Sequence, residues 1–212
     1  MEQKKKRSRE QSLGEEIGNA ITHGIGAIFA VVSLGLMHVR QNTALELAGS
    51  IIFGFSMFFV YLSSCLYHCF KHGSKVKRLF RIFDHSSIYI QIAGTYAPIL
   101  LCVIQGWLGW TYFGVQWAVV VIGILLRILK PHKNTVPQVI LCLFLGWSGL
   151  SILPQLYAFS AELTWFILAG GLAYSAGIAF YASRFKYAHF VWHFFVMFGT
   201  ILHFIGIYLY VL

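Results

Sequence analysis

Charged residues are scarce in this chain, since Lys, Arg, Asp and Glu make up only 11% of its 212 residues. Soluble domains carry roughly 25% charged residues, so the shortage excludes an ordinary soluble globule. Hydrophobic residues make up 58% of the chain and aromatic residues 17%. We therefore predict an integral membrane protein whose length leaves no room for a separate soluble domain.

Three further features that the sequence lacks restrict the kind of membrane protein it can be. The four cysteines include no C-x-x-C pair, so a disulfide framework is not indicated. No small-x-small cleavage motif follows the basic amino-terminal segment, and the first span is therefore expected to be retained. The last apolar run contains no Lys, which excludes a retinal Schiff base there.

Continuous apolar runs predict seven membrane-spanning helices. They cover residues 17–39, 45–69, 84–104, 110–129, 136–153, 162–182 and 188–211. The runs are separated by short polar breaks, including 71–81 and the stretch after Pro154, and they do not alternate with a period of two, which excludes a β-barrel. The predicted fold is an all-α seven-helix bundle over residues 15–212, preceded by a basic cytoplasmic tail over residues 1–14.

The basic residues predict the orientation of this bundle. All but one of the 16 Lys and Arg residues fall in the tail and in the loops on the same side, and Arg40 is the exception. Positive charge favours the cytoplasmic side, so the amino terminus is predicted inside and the carboxyl terminus outside. We interpret the charge as topology and contact with anionic membrane lipids, not nucleic acid, in a multi-pass protein of the plasma membrane.

Several polar residues fall within or at the ends of predicted spans, where such residues are costly and commonly functional. Ser64 and His68 lie four residues apart at the end of helix two, Asp84 opens helix three, and His189 and His193 open helix seven. The predicted topology places all of them at one membrane level. We expect them to converge on one site.

Three neutral imidazoles with one water form the open arrangement of a catalytic zinc site. His189 and His193 can chelate an ion from one helix face, and His68 would complete the set. Asp84 would either bind the metal or hold and deprotonate its water, while Ser64 would donate a hydrogen bond to the water or to a developing oxyanion.

Alternative ligands are also present in the sequence. Cys65 and Cys69 flank His68, although a free cysteine in a helix commonly behaves as a small hydrophobe. The histidines expected to be ordinary residues in or beside loops are His38, His72, His85 and His132.

Four segments resemble signature motifs of a known family: EEIGNAITHGIGA (15–27), SSCLYH (63–68), FDHSSIYIQIAGTYAP (83–98) and HFVWHFFVMFGTILHF (189–204). They are similar to the haemolysin III family, the bacterial members of the progestin and adipoQ receptor group. That group belongs to a wider superfamily of membrane hydrolases that includes alkaline ceramidases.

The resemblance implies an intramembrane zinc ion near the cytoplasmic face. His68, His189 and His193 would hold the ion, with Asp84 linked through a bound water and Ser64 beside it. The charge-derived orientation agrees with that of the group.

A polar face on helix one has two interpretations. Glu16, Asn19 and His23 are spaced i, i+3 and i+7, and the family motif suggests that they support the metal ligands or face a substrate. The alternative is a plain helix start, with an acidic residue favourable to the dipole and an interhelical hydrogen bond. His203 points elsewhere on helix seven and is expected to be structural.

The sequence leaves three functions open. The first is a metal-dependent hydrolase of a lipid amide or ester. The second is a pore-forming cytolysin, which only the family name suggests. The third is a receptor-like regulator of lipid composition in which zinc is a structural clamp.

Overall fold

The structure, a computed structural model, describes residues 10–129 and 136–212. These residues form eight α-helices: α1 (Leu13–His38), α2 (Ala44–Cys69), α3 (Lys75–Pro98), α4 (Gly106–Leu129), α5 (Val136–Trp147), α6 (Leu153–Phe159), α7 (Ala161–Ala182) and α8 (Ala188–Tyr210). A π-helical segment, Ile99–Ile104, extends α3, and a 3₁₀ segment, Ser148–Ile152, joins α5 to α6.

Within this part of the chain, seven segments are long and apolar enough to cross a membrane. They are Leu13–His38, Ala44–Cys69, Lys75–Ile104, Gly106–Leu129, Val136–Phe159, Ala161–Ala182 and Ala188–Tyr210. The all-α, seven-span architecture predicted from hydropathy is confirmed, and the chain is a multi-pass membrane protein.

The predicted start of the third span is wrong. Residues 71–81 were expected to form a polar break, but α3 begins at Lys75, where the Ser74 hydroxyl accepts a hydrogen bond from the backbone N–H of Lys77 (3.0 Å). A helix satisfies its own backbone whether or not its side chains are apolar, so it continues past the apolar run that hydropathy detects. Asp84 consequently lies in the third turn of α3 and not at the start of the helix.

The predicted end of the fifth span is also wrong. A break was expected after Pro154, but the segment continues to Phe159 through the 3₁₀ segment and α6. Pro154 occupies the first turn of α6, where its missing N–H has no intrahelical partner to lose. The first and fourth spans begin four residues earlier than predicted, at Leu13 and Gly106.

Some residues used in the sequence analysis lie outside the described part of the chain. In the basic tail these are Lys4, Lys5, Lys6, Arg7 and Arg9, and between α4 and α5 they are Lys130, Pro131, His132 and Lys133.

Helices α1, α2 and α8 pack together around a core that includes Phe53, Met57, Tyr61 and Ile207. Tyr61 is fully buried, and its hydroxyl donates a hydrogen bond to Oγ1 of Thr200 at 2.7 Å. The Tyr174 hydroxyl lies 2.6 Å from the same oxygen. Side-chain hydrogen bonds therefore join α2, α7 and α8 in a part of the bundle where water does not compete.

The contact between α2 and the end of α3 depends on a glycine. A Cβ at Gly49 would lie 2.8 Å from Cα of Pro98, which is backbone and does not move aside easily. We expect Gly49→Ala to destabilise the protein by about 1–3 kcal/mol, because the two helices would have to separate. Thermal unfolding of the purified protein in detergent measures this effect.

Gly35 provides the matched control, since a Cβ there meets no atom within 4 Å. Gly35→Ala should leave the unfolding temperature unchanged or raise it, because alanine favours the helix. Equal unfolding temperatures for the two variants would contradict the close approach at Gly49.

Candidate metal centre

Three histidines from two helices meet at one end of the bundle. His68 lies at the end of α2, and His189 and His193 lie in the first two turns of α8. One ring nitrogen from each lies within 4.8 Å of the others, and the ring centroids are 4.8–5.3 Å apart. The three residues predicted as ligands therefore form a group that could hold a metal ion.

A carboxylate in contact with His68 determines which of its ring nitrogens has a lone pair that could bind a metal ion. Nδ1 of His68 lies 2.7 Å from Oε2 of Glu16. A carboxylate accepts hydrogen bonds, so Nδ1 carries the hydrogen and Nε2 keeps a free lone pair. Nε2 is buried and has no hydrogen-bond partner within the described residues, and such an unpartnered lone pair fits the role of a metal ligand.

A threonine contacts Nδ1 of His193 in the same way that the carboxylate contacts Nδ1 of His68. Nδ1 of His193 lies 3.0 Å from Oγ1 of Thr22. The single hydroxyl hydrogen of Thr22 is shared between the carbonyl oxygens of Gly18 and Asn19, each at 3.0 Å, so the hydroxyl oxygen accepts from Nδ1–H of His193. This contact assigns the same tautomer to His193, with the hydrogen on Nδ1. Its Nε2 then keeps a lone pair that could bind a metal ion.

Helix α1 therefore contacts one histidine of the group on each of its two neighbours. Glu16 binds His68 of α2, and Thr22 binds His193 of α8. Both contacts hold an imidazole through its Nδ1, an arrangement that is usual around metal-binding histidines. Glu16 of the predicted polar face thus contacts His68, and its role as a support for metal ligands stays a prediction.

The other two polar residues predicted on this face have different surroundings. Nδ2 of Asn19 donates to Oε1 of Gln11 at 2.9 Å, which joins the segment before α1 to the helix. The ring of His23 stacks on that of His193 with a centroid distance of 3.5 Å and an interplanar angle of 6°. Neither nitrogen of His23 has a hydrogen-bond partner among the residues that the structure describes.

Asp84 and Ser64 face a cavity beside the histidines. The cavity has a volume of about 860 Å³, and its lining includes Ser64, Asp84, His189 and His193. Oδ2 of Asp84 lies 3.4 Å from Nδ1 of His85, a histidine that was expected to be an ordinary residue in or beside a loop. Asp84 is not itself a member of the three-histidine group.

The far part of the cavity is mainly apolar, although Thr95, Tyr96 and His203 also belong to its lining. Ile99, Ile152 and Leu156, all buried, belong to its lining, as does Ile92 of α3. His203 also lines the cavity, and its Nε2 donates to the carbonyl oxygen of Ile167 at 3.0 Å, in keeping with the structural role expected for it. The cavity thus joins a polar end, with His189 and His193, to a mainly apolar interior.

The donor set fits a metal ion of the zinc type. Imidazole nitrogens suit zinc and neighbouring transition metals, and three protein ligands leave a position open. Cys65 and Cys69, the alternative ligands, are free thiols outside the three-histidine group.

Two residues that contact the histidine group or its partner Glu16 were not predicted from the sequence. Thr22 lies within the recognised helix-one motif, but a threonine inside a helix has no distinctive pattern. Lys77 was counted as a loop charge, yet it is buried and its Nζ lies 2.7 Å from Oε1 of Glu16. Its partner on another helix could not be identified without the fold.

The fold and the histidine group define a class: a seven-span membrane protein with a potential metal site at one end of its bundle. The model of the family described as "Haemolysin-III related" matches residues 11–204. The chain belongs to the haemolysin III family, which confirms the resemblance found in the sequence.

Curated relatives agree with this assignment. The chain is 37% identical to "Hemolysin-3" of Bacillus cereus over 207 residues, which cover 95% of this chain and 94% of that protein. It is 37% identical to the "Hemolysin-3 homolog" of Bacillus subtilis (strain 168) over 194 residues, 89% of this chain and 91% of that one. The human "Monocyte to macrophage differentiation factor" is 25% identical over 202 residues, 92% of this chain and 84% of its own length.

Proposed function

We propose that this protein is a zinc-dependent hydrolase that cleaves an amide or ester bond of a membrane lipid. The observation that carries the proposal is that His189 and His193 line a cavity that also contains Asp84 and Ser64. A purely structural metal clamp would need neither the cavity nor the carboxylate.

The chemistry that zinc supplies in an open three-histidine site is polarisation of a carbonyl group and acidification of a water molecule. The Asp84 carboxylate accepts a proton from the attacking water and passes it to the departing amine or alcohol. The water oxygen thereby bonds to the carbonyl carbon, and the carbon–nitrogen or carbon–oxygen bond of the substrate breaks. The Ser64 hydroxyl donates a hydrogen bond to the carbonyl oxygen as negative charge develops on it.

The cavity binds the apolar part of the substrate in this proposal. Its volume of about 860 Å³ falls within the range of ligand sites, and its interior is lined mainly by aliphatic and aromatic side chains. An acyl chain would gain free energy by leaving water for this interior, and its carbonyl end would remain beside Asp84 and the histidines.

We further propose that the amino terminus faces the cytoplasm, so that the polar end of the cavity opens toward the inner leaflet of the plasma membrane. The support is the distribution of Lys and Arg in the sequence. In this arrangement the lipids that surround the protein in the inner leaflet would also supply its substrate.

The test is hydrolysis by purified protein in detergent or nanodiscs against a panel of lipid esters and amides. We expect release of a fatty acid from at least one lipid, loss of this activity after chelation, and recovery when zinc is restored. If zinc is bound but no lipid gives a metal-dependent product, the hydrolase proposal fails and a structural zinc in a regulatory protein replaces it.

A cytolysin is the second candidate, because the relative from Bacillus cereus bears the name "Hemolysin-3". Release of a dye from liposomes by purified protein tests it. Lysis that Asp84→Asn leaves unchanged would favour the pore, whereas lysis that requires Asp84 would favour hydrolysis of the bilayer lipids.

A further inference from the structure

Lys77 is an unusual residue for the end of a membrane helix, because it is only 5% exposed. Lysine is almost never fully buried unless it is paired. Its Nζ lies 2.7 Å from Oε1 of Glu16, and it lies 4.7 Å from the centroid of the Tyr67 ring. Lys77 is therefore enclosed by α1 and α2 and does not extend toward lipid head groups.

The partner of Lys77 is the residue that holds a predicted metal ligand. Glu16 uses its two oxygens separately, since Oε1 accepts from Lys77 and Oε2 accepts from His68, each at 2.7 Å. A line of charge-assisted contacts thus runs from α3 through α1 to the imidazole on α2. We propose that Lys77 is a positioning residue of the metal centre, which acts through Glu16 to hold His68 in its metal-binding orientation.

The charge of Glu16 makes its position depend on Lys77. Its side chain is only 16% exposed, and removal of one partner from a buried ion pair leaves an uncompensated charge that is costly. Without Lys77, the carboxylate would gain free energy by turning toward water, and it would then release Nδ1 of His68. With Lys77 in place, the carboxylate is neutralised where it stands and has one oxygen left for the imidazole.

The helix start holds Lys77 in position. The N-cap contact from Ser74 to the backbone N–H of Lys77 fixes the first turn of α3. The ring of Tyr67, the residue before His68, lies against the ammonium group, which favours a cation at this place. Glu16 and Tyr67, the two side chains that contact the Lys77 ammonium group, both lie beside His68. The charge of Lys77 therefore acts on this site as well as on membrane topology.

The inference rests on the metal site of the proposed function but not on hydrolysis, so its test measures metal binding. Lys77→Met removes the charge and keeps an apolar stem of similar length. We expect it to weaken zinc binding by roughly 10- to 100-fold, the usual effect of losing a group that orients a ligand. Lys75→Met, an exposed position on the same turn, is the matched control and should bind zinc like the wild type.

Cobalt substitution supplies a readout that a general loss of stability would not mimic. We expect Co²⁺ bound to Lys77→Met to show a changed visible absorption spectrum, because one imidazole is no longer held. Lys75→Met should keep the wild-type spectrum. Equal zinc affinity and equal cobalt spectra for the two variants would overturn the inference while leaving the metal site intact, whereas a wild-type protein that binds no metal would overturn both proposals.

A second variant keeps the test decisive if Lys77→Met folds poorly. Glu16→Gln combined with Lys77→Met contains no uncompensated charge, and the amide oxygen of Gln can still accept from Nδ1 of His68. We expect this pair to recover folding and to bind zinc more tightly than Lys77→Met alone. If the pair binds zinc no better than Lys77→Met, then Lys77 does not act through Glu16, and the inference fails.

Discussion

The double substitution His189→Ala and His193→Ala is expected to abolish stoichiometric zinc binding. It removes two of the three imidazoles that lie within 4.8 Å of one another, and His68 alone cannot retain the ion. Elemental analysis of purified protein should find on the order of a tenth of the wild-type zinc or less, because zinc sites in proteins need at least three protein ligands.

His38→Ala is the control for this result, since His38 is an exposed histidine at the end of α1. It should bind as much zinc as the wild type, and both variants should elute as folded protein from size-exclusion chromatography. Wild-type zinc content in the double variant would show that the metal, if bound, lies elsewhere.

Asp84→Asn is expected to remove lipid hydrolysis while largely retaining zinc. The amide keeps the shape of the side chain but cannot accept a proton from water, and loss of a general base costs roughly 10²- to 10⁴-fold in rate. Asp84 lies in the cavity lining but outside the three-histidine group, so the metal ligands remain in place. Turnover and zinc content should be measured on the same preparation.

Glu162→Gln makes the same chemical change at an exposed position in the first turn of α7. It should leave both turnover and zinc content unchanged. If Asp84→Asn hydrolyses lipid as fast as Glu162→Gln does, another group accepts the proton and the role assigned to Asp84 is wrong. If it loses zinc as well, Asp84 is a direct ligand and not a partner of the attacking water.

The span pattern was predictable because hydropathy is a local property of the sequence. The convergence of His68 with His189 and His193 was also predictable, since loop charges placed the end of helix two and the start of helix seven at one membrane level. Zinc binding by this group and the roles of Asp84 and Ser64 stay predictions.

The features that escaped prediction depend on contacts between helices. Lys77 looked like every other basic residue near a membrane surface, and only the packing of α3 against α1 and α2 places it beside Glu16. The start of α3 at Lys75 was missed for a related reason. The polar turns that extend beyond the apolar core carry no hydropathy signal, although their hydrogen bonds are those of any helix.

The position of the histidines along the chain has a consequence for the synthesis of the protein. His68 belongs to the second span and His189 and His193 to the seventh, so four spans are inserted between the first ligand and the other two. The nascent chain cannot present a complete ligand set until α8 has left the translocon. Binding of the proposed metal would therefore be a late step of biogenesis, and an ion bound there would distinguish fully inserted chains from incomplete ones.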